Sequence, residues 1–262
     1  MKKIIGTILM IMVYVVLFPP TLAHGSERDL KASIIIDDFG GGTGGVKQFL
    51  EGDIPITAAV MPFTPRAKEH ALWAHKNGIE VMVHLPMEPK KGKRSWLGPK
   101  PITVDLSTQE VRKRVEEAID TVPYAKGMNN HMGSLAVENE RIVREIVTIA
   151  KERRMYIVDS GTSPNSKFTA LAKELGVPIL SRDVFLDDIS SAEHVRKQMS
   201  KLARITERKG TGIAIGHVGV SGNICSSGVF QSIGQFSQRG IKIVPVSQLL
   251  SKQMQEMYFH HF

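Results

Sequence analysis

The sequence predicts an α/β fold, a parallel sheet curled into an irregular (β/α)7–8 barrel, with an open doubly wound sheet as the alternative. Three observations carry the prediction. Short apolar runs rich in β-branched residues alternate with amphipathic helical patterns along nearly the whole chain, the arrangement that gives parallel sheets. No Pro/Ser-rich linker, repeat or low-complexity tract divides the 262 residues, so one barrel-sized domain fits better than two small ones. Polar and ionisable residues recur where the apolar runs end, on the face where barrels build their sites.

Strands are expected at 32–37, 56–61, 79–84, 125–130, 155–159, 177–181, 212–216 and 241–244. Between them, Thr64 reads as a helix N-cap with Pro65 at the first helical position, opening 66–77, and Gly78 closes that helix. Ser107-Thr108-Gln109-Glu110 is a capping box, followed by Val111, Val115, Ala118, Ile119 and Val122 on one face. Ile142, Val143, Ile146, Val147 and Ala150 form a second apolar face. Ser190-Ser191-Ala192-Glu193 reads as another capping box, leading Val195, Met199, Leu202 and Ile205. The glycines at 40–45 lack the G-x-G-x-x-G spacing and any Gly-Lys-Ser/Thr, which excludes a dinucleotide or phosphate loop.

The chain opens with Lys2 and Lys3, an apolar run over 4–18 and Thr21-Leu22-Ala23. That is the charge, length and cleavage chemistry of an export leader, and the run is shorter than the roughly 20 residues a membrane span needs. The expected organisation is a signal peptide at 1–23, an N-terminal extension at 24–31, the barrel at 32–257 and a tail at 258–262. The protein is thus expected to be exported, secreted or envelope-associated, without a stable membrane span after cleavage. A single cysteine, Cys225, excludes an intramolecular disulfide framework and a cysteine-based zinc site. Net charge is +8, with basic clusters at 90–94 and at Arg153-Arg154. These read as solvated faces that would meet anionic cell-envelope material rather than nucleic acid.

Asp37 and Asp38 leave the first apolar run side by side, and Phe39-Gly40-Gly41-Gly42 follow. Two carboxylates at a buried strand exit repel each other unless a cation or shared proton intervenes. Further exits carry His84, then Asn129, Asn130 and His131, then Asp159 and Ser160, then Arg182 and Asp183, and finally His217. Aspartate oxygen and neutral histidine nitrogen suit zinc and related divalent ions, and a catalytic site leaves a position open. Asp38, His84 and His131 would make a three-ligand site of that kind. His70, His75 and His194 fall on helical patterns and are expected at the surface.

The blocks Ile-Ile-Ile-Asp-Asp-Phe-Gly (34–40), Val-His-Leu-Pro-Met-Glu-Pro (83–89), Asn-Asn-His-Met-Gly-Ser (129–134), Val-Asp-Ser-Gly-Thr (158–162), Arg-Asp-Val-Phe-Leu-Asp (182–187) and Ile-Ala-Ile-Gly-His (213–217) resemble the divergent polysaccharide deacetylase family. The likeness runs in order through roughly 30–250. It implies the NodB-like deacetylase barrel and metal-dependent removal of acetyl groups from N-acetylated or O-acetylated envelope glycans, with zinc as the metal. It also implies Asp37 as base, Asp38 as ligand and His217 as general acid. The wider family's second motif is His-x-x-x-His. Here Glu88 stands at the second position, so either His131 replaces the missing ligand or Glu88 binds directly. Asp159 is expected to orient His217 or Arg182, with Asn129 or Asn130 on substrate hydroxyls and Asp183 as a further contact. Val218-Gly219-Val220 stands where closer relatives usually carry proline, and the wider family's arginine-proline motif has no clear match. A glycan-binding barrel without turnover, and a metal-dependent hydrolase of an ester or phosphodiester, are the alternative functions.

Overall fold

The computed structural model describes residues 29–259. The predicted leader, His24, His260 and His261 lie outside them. Nine strands, β1 (Leu30–Phe39), β2 (Thr57–Val60), β3 (Glu80–Met87), β4 (Ala125–Met132), β5 (Tyr156–Asp159), β6 (Ile179–Ser181), β7 (Val184–Phe185), β8 (Thr211–His217) and β9 (Ile241–Ile243), form one sheet. Its order is β6-β5-β4-β3-β2-β1-β8-β7, with β9 added beside the start of β1, and every pairing is parallel. The helices are α1 (Val46–Leu50), α2 (Ala67–Lys76), α3 (Thr108–Thr121), α4 (Glu140–Glu152), α5 (Phe168–Leu175), α6 (Ala192–Lys209), α7 (Gly222–Ser232), α8 (Gly234–Gln238) and α9 (Lys252–Phe259). None among the described residues is long and apolar enough to cross a membrane.

The sheet curls, and among the described residues hydrogen bonds do not close it: there β6 pairs only with β5, and β7 only with β8. The chain itself bridges the two edges, because only Arg182 and Asp183 separate β6 from β7. The predicted barrel is therefore the incomplete form. A two-residue strand is too short to show any hydropathy period, so β7 is absent from the sequence reading.

Period-two alternation divides the core in two. Ile34, Ile36, Val81 and Val83 face the layer under the helices with Val115, Ile146 and Leu202. Ile35, Ala59, Met82, Tyr156, Val158, Ile213 and Ile215 fill the inside of the curl, and Val246 and Leu250 close it from below. Tyr156 lies so close to β4 that a Cβ on Gly127 would stand 2.4 Å from its ring. Glycine is therefore required there.

Two helix starts differ from expectation. The N-cap of α2 is Arg66 rather than Thr64, because the Thr64 hydroxyl donates to the Met61 carbonyl instead (2.8 Å). The Ser190 box moves one residue: Ser191 caps α6 by accepting from His194 N (3.4 Å). The capping box at Ser107 forms as read. The domain also extends beyond 32–257. β1 begins at Leu30, and Tyr258 is buried, with its hydroxyl donating to the Gly176 carbonyl (3.1 Å). Phe259 packs edge-on to Tyr156, so these residues belong to the barrel floor rather than to a frayed tail.

Candidate metal centre

The alternation that packs the inside of the curl also places the site. One inward step beyond Ile35, Met82 and Ile215 come Asp37, His84 and His217. On β4, Asn129 and His131 take successive inward positions after Gly127. Register aligns Asp37 with His217 across β1 and β8, and His84 with Asn129 across β3 and β4. Asp38 falls out of phase and would face the helices. A register shift between Ile36 and Phe39, with Asp38 in the left-handed region at φ 69°, turns it to the mouth instead. A non-glycine residue there is strained. Gly40 follows at φ 103°, where a Cβ would stand 2.3 Å from Thr64 Oγ1.

The result is a compact triangle. His84 Nε2 lies 3.0 Å from His131 Nδ1 and 3.3 Å from Asp38 Oδ1, and His131 Nδ1 lies 3.2 Å from the same oxygen. Donors held at about 2.0–2.1 Å around a tetrahedral ion stand roughly 3.3 Å apart, so the three atoms fit a divalent cation. Asp38 Oδ1 is buried, and no hydrogen bond reaches it among the described residues.

Neighbouring groups fix which nitrogen each imidazole offers. Asn129 donates from Nδ2 to Asp37 Oδ1 (2.8 Å), so its carbonyl oxygen must face His84 Nδ1 (2.7 Å). Nδ1 therefore carries the proton, and Nε2 turns its lone pair into the triangle. His131 Nε2 likewise donates to the Trp96 carbonyl (2.9 Å), freeing Nδ1. Such outer partners are the usual means of orienting histidine ligands.

The charges agree. For Asp38, burial acts upward, but the His131 and His84 imidazoles outweigh it and hold the carboxyl well below the usual carboxylate range. Burial dominates at Asp37, and its carboxyl is raised despite His84, His217 and Asn129. Burial would lower His84, yet Asp37 and Asp38 raise it. The field that favours a proton on His84 Nε2 favours a cation at the same point, so the two compete.

His217 stands apart from the triangle. Its Nδ1 bonds Asp187 Oδ1 (2.9 Å), and its backbone N–H donates to Asp187 Oδ2 (2.9 Å). Burial would lower its pKa, but Asp187, then Asp37 and Asp38, raise it to about 9. The partner of His217 is thus Asp187, which the sequence reading quoted in the 182–187 block without giving it a role, and not Asp159. Asp159 accepts from Gly161 N (2.9 Å) in a local turn. Arg182 donates to the Ser160 carbonyl (2.6 Å) and lies over the Phe185 ring.

The remaining candidates are structural in their contacts. Glu88 accepts from Val104 N (2.8 Å) and lies outside the metal-binding group. Asn130 accepts from Ser160 N (3.0 Å) and donates to Thr162 Oγ1 (3.1 Å), so it ties β4 to the loop after β5. Asp183 binds Lys209 Nζ (2.5 Å) and Ile213 N (3.0 Å). His70 corrects the surface expectation: it is fully buried, and its Nδ1 accepts from Gly40 N (2.8 Å) under the Asp38 turn. The signal was present, since Ala67, Ala71 and Ala74 share its helix face and are buried with it.

Comparison with known proteins adds to this geometry. The structure is similar to that of the uncharacterized protein ATU2773 from Agrobacterium tumefaciens C58, at TM-score 0.77 and 21% identity over 86% of this chain and 91% of that one. It is also similar to the Bc1960 peptidoglycan N-acetylglucosamine deacetylase, at TM-score 0.54 and 10% identity over 85% and 89% of the two chains. At such identities these likenesses establish the fold. In sequence, the chain is 35% identical over 187 residues to the uncharacterized protein YibQ of Escherichia coli (strain K12), covering 71% of this chain and 58% of YibQ. It is 32% identical over 187 residues to an uncharacterized protein of Haemophilus influenzae, covering 71% and 66%. It thus spans less than two thirds of either relative. The family model for divergent polysaccharide deacetylases matches residues 34–250, and the chain belongs to that family.

Proposed function

We propose that this protein is an exported, metal-dependent deacetylase of N-acetylated or O-acetylated cell-envelope glycans. The observation that best supports the reading is the pairing of Asp37 and His217 in register on adjacent strands beside the Asp38–His84–His131 triangle. A proton acceptor and a proton donor then serve one reacting group. A divalent cation held by the triangle, zinc in this reading, would supply Lewis-acid polarisation of the acyl oxygen.

The chain's own groups divide the proton work. Asp37 Oδ1 is taken by Asn129, which leaves Oδ2 to accept the proton of the attacking water. Burial raises the basicity of this carboxylate, as a general base requires. His217 is protonated at neutral pH. With Nδ1 committed to Asp187, Nε2 delivers its proton to the leaving amine or alcohol. Arg182, Asn130 and Asp159 hold the loop after β5 beside this space.

The reading is tested by measuring acetate released from an N-acetylated chitooligosaccharide by the zinc-loaded full chain. Asp37→Asn should keep the metal and lose on the order of 10²–10⁴ in turnover. A metal-loaded protein that releases no acetate from any acetylated glycan, yet binds one, would instead be a glycan-binding barrel. Export is tested separately, by whether the chain appears outside the cytoplasm shortened at Ala23.

A further inference from the structure

The geometry points to Trp96 as a sugar-stacking platform that seats a glycan chain of two or more sugars across the mouth of the site. This rests on the deacetylase reading and adds to it the length of substrate recognised. The Trp96 carbonyl accepts from His131 Nε2 (2.9 Å), so the indole begins one residue from the triangle. Its loop, between β3 and α3, is pinned at several points. Trp96 N donates to the Lys93 carbonyl (2.9 Å), Leu97 is buried, and Glu88 holds Val104 N.

A pinned loop could have folded the ring inward, yet Trp96 is 58% exposed. Lys93 Nζ lies over the ring at 5.6 Å, which orders the indole without covering it as a core would. Two other large apolar residues, Ile189 and Val220, stand exposed on the loops after β7 and β8. Those loops flank Asp187 and His217. Exposed apolar side chains therefore stand on both the β3 side and the β7–β8 side of the mouth. A pyranose presents a C–H face to an indole and keeps its hydroxyls for water, the mixed contact for which tryptophan is suited. One sugar at the triangle and the next on Trp96 require a chain rather than a monosaccharide.

The test compares an N-acetylated tetrasaccharide with an aryl acetate on the zinc-loaded full chain. Trp96→Ala should raise KM for the tetrasaccharide about tenfold, the loss of one stacking contact, with kcat little changed. Hydrolysis of the aryl acetate, which does not reach the platform, should change far less than the tetrasaccharide KM, and metal content is read on the same variant so that any shift of the loop that holds His131 is separated from loss of stacking. Trp96→Tyr should restore most of the affinity. Equal losses on both substrates, or no change in KM, would overturn the platform while leaving the deacetylase reading intact. If the unmutated protein releases no acetate, calorimetric titration with the tetrasaccharide decides. Binding weakened by Trp96→Ala upholds the platform, and binding unchanged, or absent in the unmutated protein, overturns it.

Discussion

Strand β3 carries two buried ionisable residues, Glu80 at its start and His84 at mid-strand below the mouth. At the floor, Glu80 Oε1 accepts from the Tyr156 hydroxyl (2.9 Å), from Ser247 N (3.0 Å) and from Thr57 Oγ1 (3.4 Å), while Oε2 accepts the Ser247 hydroxyl. At the mouth, four residues on, His84 meets His131 and an Asp38 oxygen. Taking a carboxylate out of water costs several kcal/mol. At the floor, hydroxyls and amides of the chain offset that cost. At the mouth His84 Nε2, His131 Nδ1 and Asp38 Oδ1 converge, and among the described residues no hydroxyl or amide reaches that oxygen. One cluster is satisfied by the chain's own donors, and the other converges on a point that a proton or a cation could fill.

The largest effect separating the two clusters should be metal binding. Asp38→Ala, His84→Ala and His131→Ala should each remove most bound zinc from the purified chain, as measured by elemental analysis, with the fold unchanged by circular dichroism. Glu88→Ala should retain full stoichiometry, because its carboxylate is spent on Val104 N. Loss of metal in that variant would move the ligand set to Glu88. Zinc affinity should also rise with pH, since the cation displaces the proton that Asp37 and Asp38 favour on His84.

His217→Ala should keep the metal and lower glycan deacetylation by on the order of 10²–10⁴, the range for a general acid–base group. An aryl acetate should suffer less, because its leaving group needs no proton. The pH dependence follows from the raised pKa. His217 titrates near 9, above the ordinary value of about 6.5. Its pairing with Asp187 therefore stabilises the fold fully below about 6.5, and that contribution is lost as pH rises through about 9. The donor form disappears over the same upper range. In metal-free protein, the His217 ring proton shifts followed by NMR should show a midpoint near 9, and Asp187→Asn should bring it down toward the ordinary value. No change in that variant would remove Asp187 from its assigned place.

Much of the mouth was legible in the sequence, because it lies one inward step beyond strands whose apolar runs are easily read. Asp37, His84, Asn129 and His217 inherit their direction from Ile35, Met82, Gly127 and Ile215. Asp38 was legible as a residue but not as a direction, since a register shift and a positive φ turn it. Asp187 was missed as a partner because it follows the two-residue strand β7. The floor was illegible for another reason: Glu80 and Ser247 are 167 positions apart, and nothing local to either announces the other.

A smaller effect at the mouth should follow from Asn129→Ala. Asn129 sets the His84 tautomer and holds Asp37, but it does not belong to the triangle. Loss of such an outer partner typically weakens metal binding 10–100-fold. Competition with a chromogenic chelator would measure it, and an unchanged affinity would mean that the fold alone orients His84.

At the floor the smallest change is Tyr156→Phe. The ring would remain, still packed against Gly127 and Phe259, so no cavity opens and the inner core keeps its shape. What goes is one hydroxyl donor to Glu80, whose carboxylate keeps both Ser247 donors. Removing one partner from a buried charged acceptor costs roughly 1–3 kcal/mol, and the remaining donors place this loss at the lower end. Urea unfolding should therefore show a drop of about 1 kcal/mol, while zinc affinity and turnover stay at the unmutated values. A Tyr156→Phe chain that lost metal would show that the two clusters on β3 are mechanically coupled. The contrast drawn between a self-sufficient floor and a ligand-dependent mouth would then fail, because the floor's hydrogen bonds would be part of what holds the triangle open.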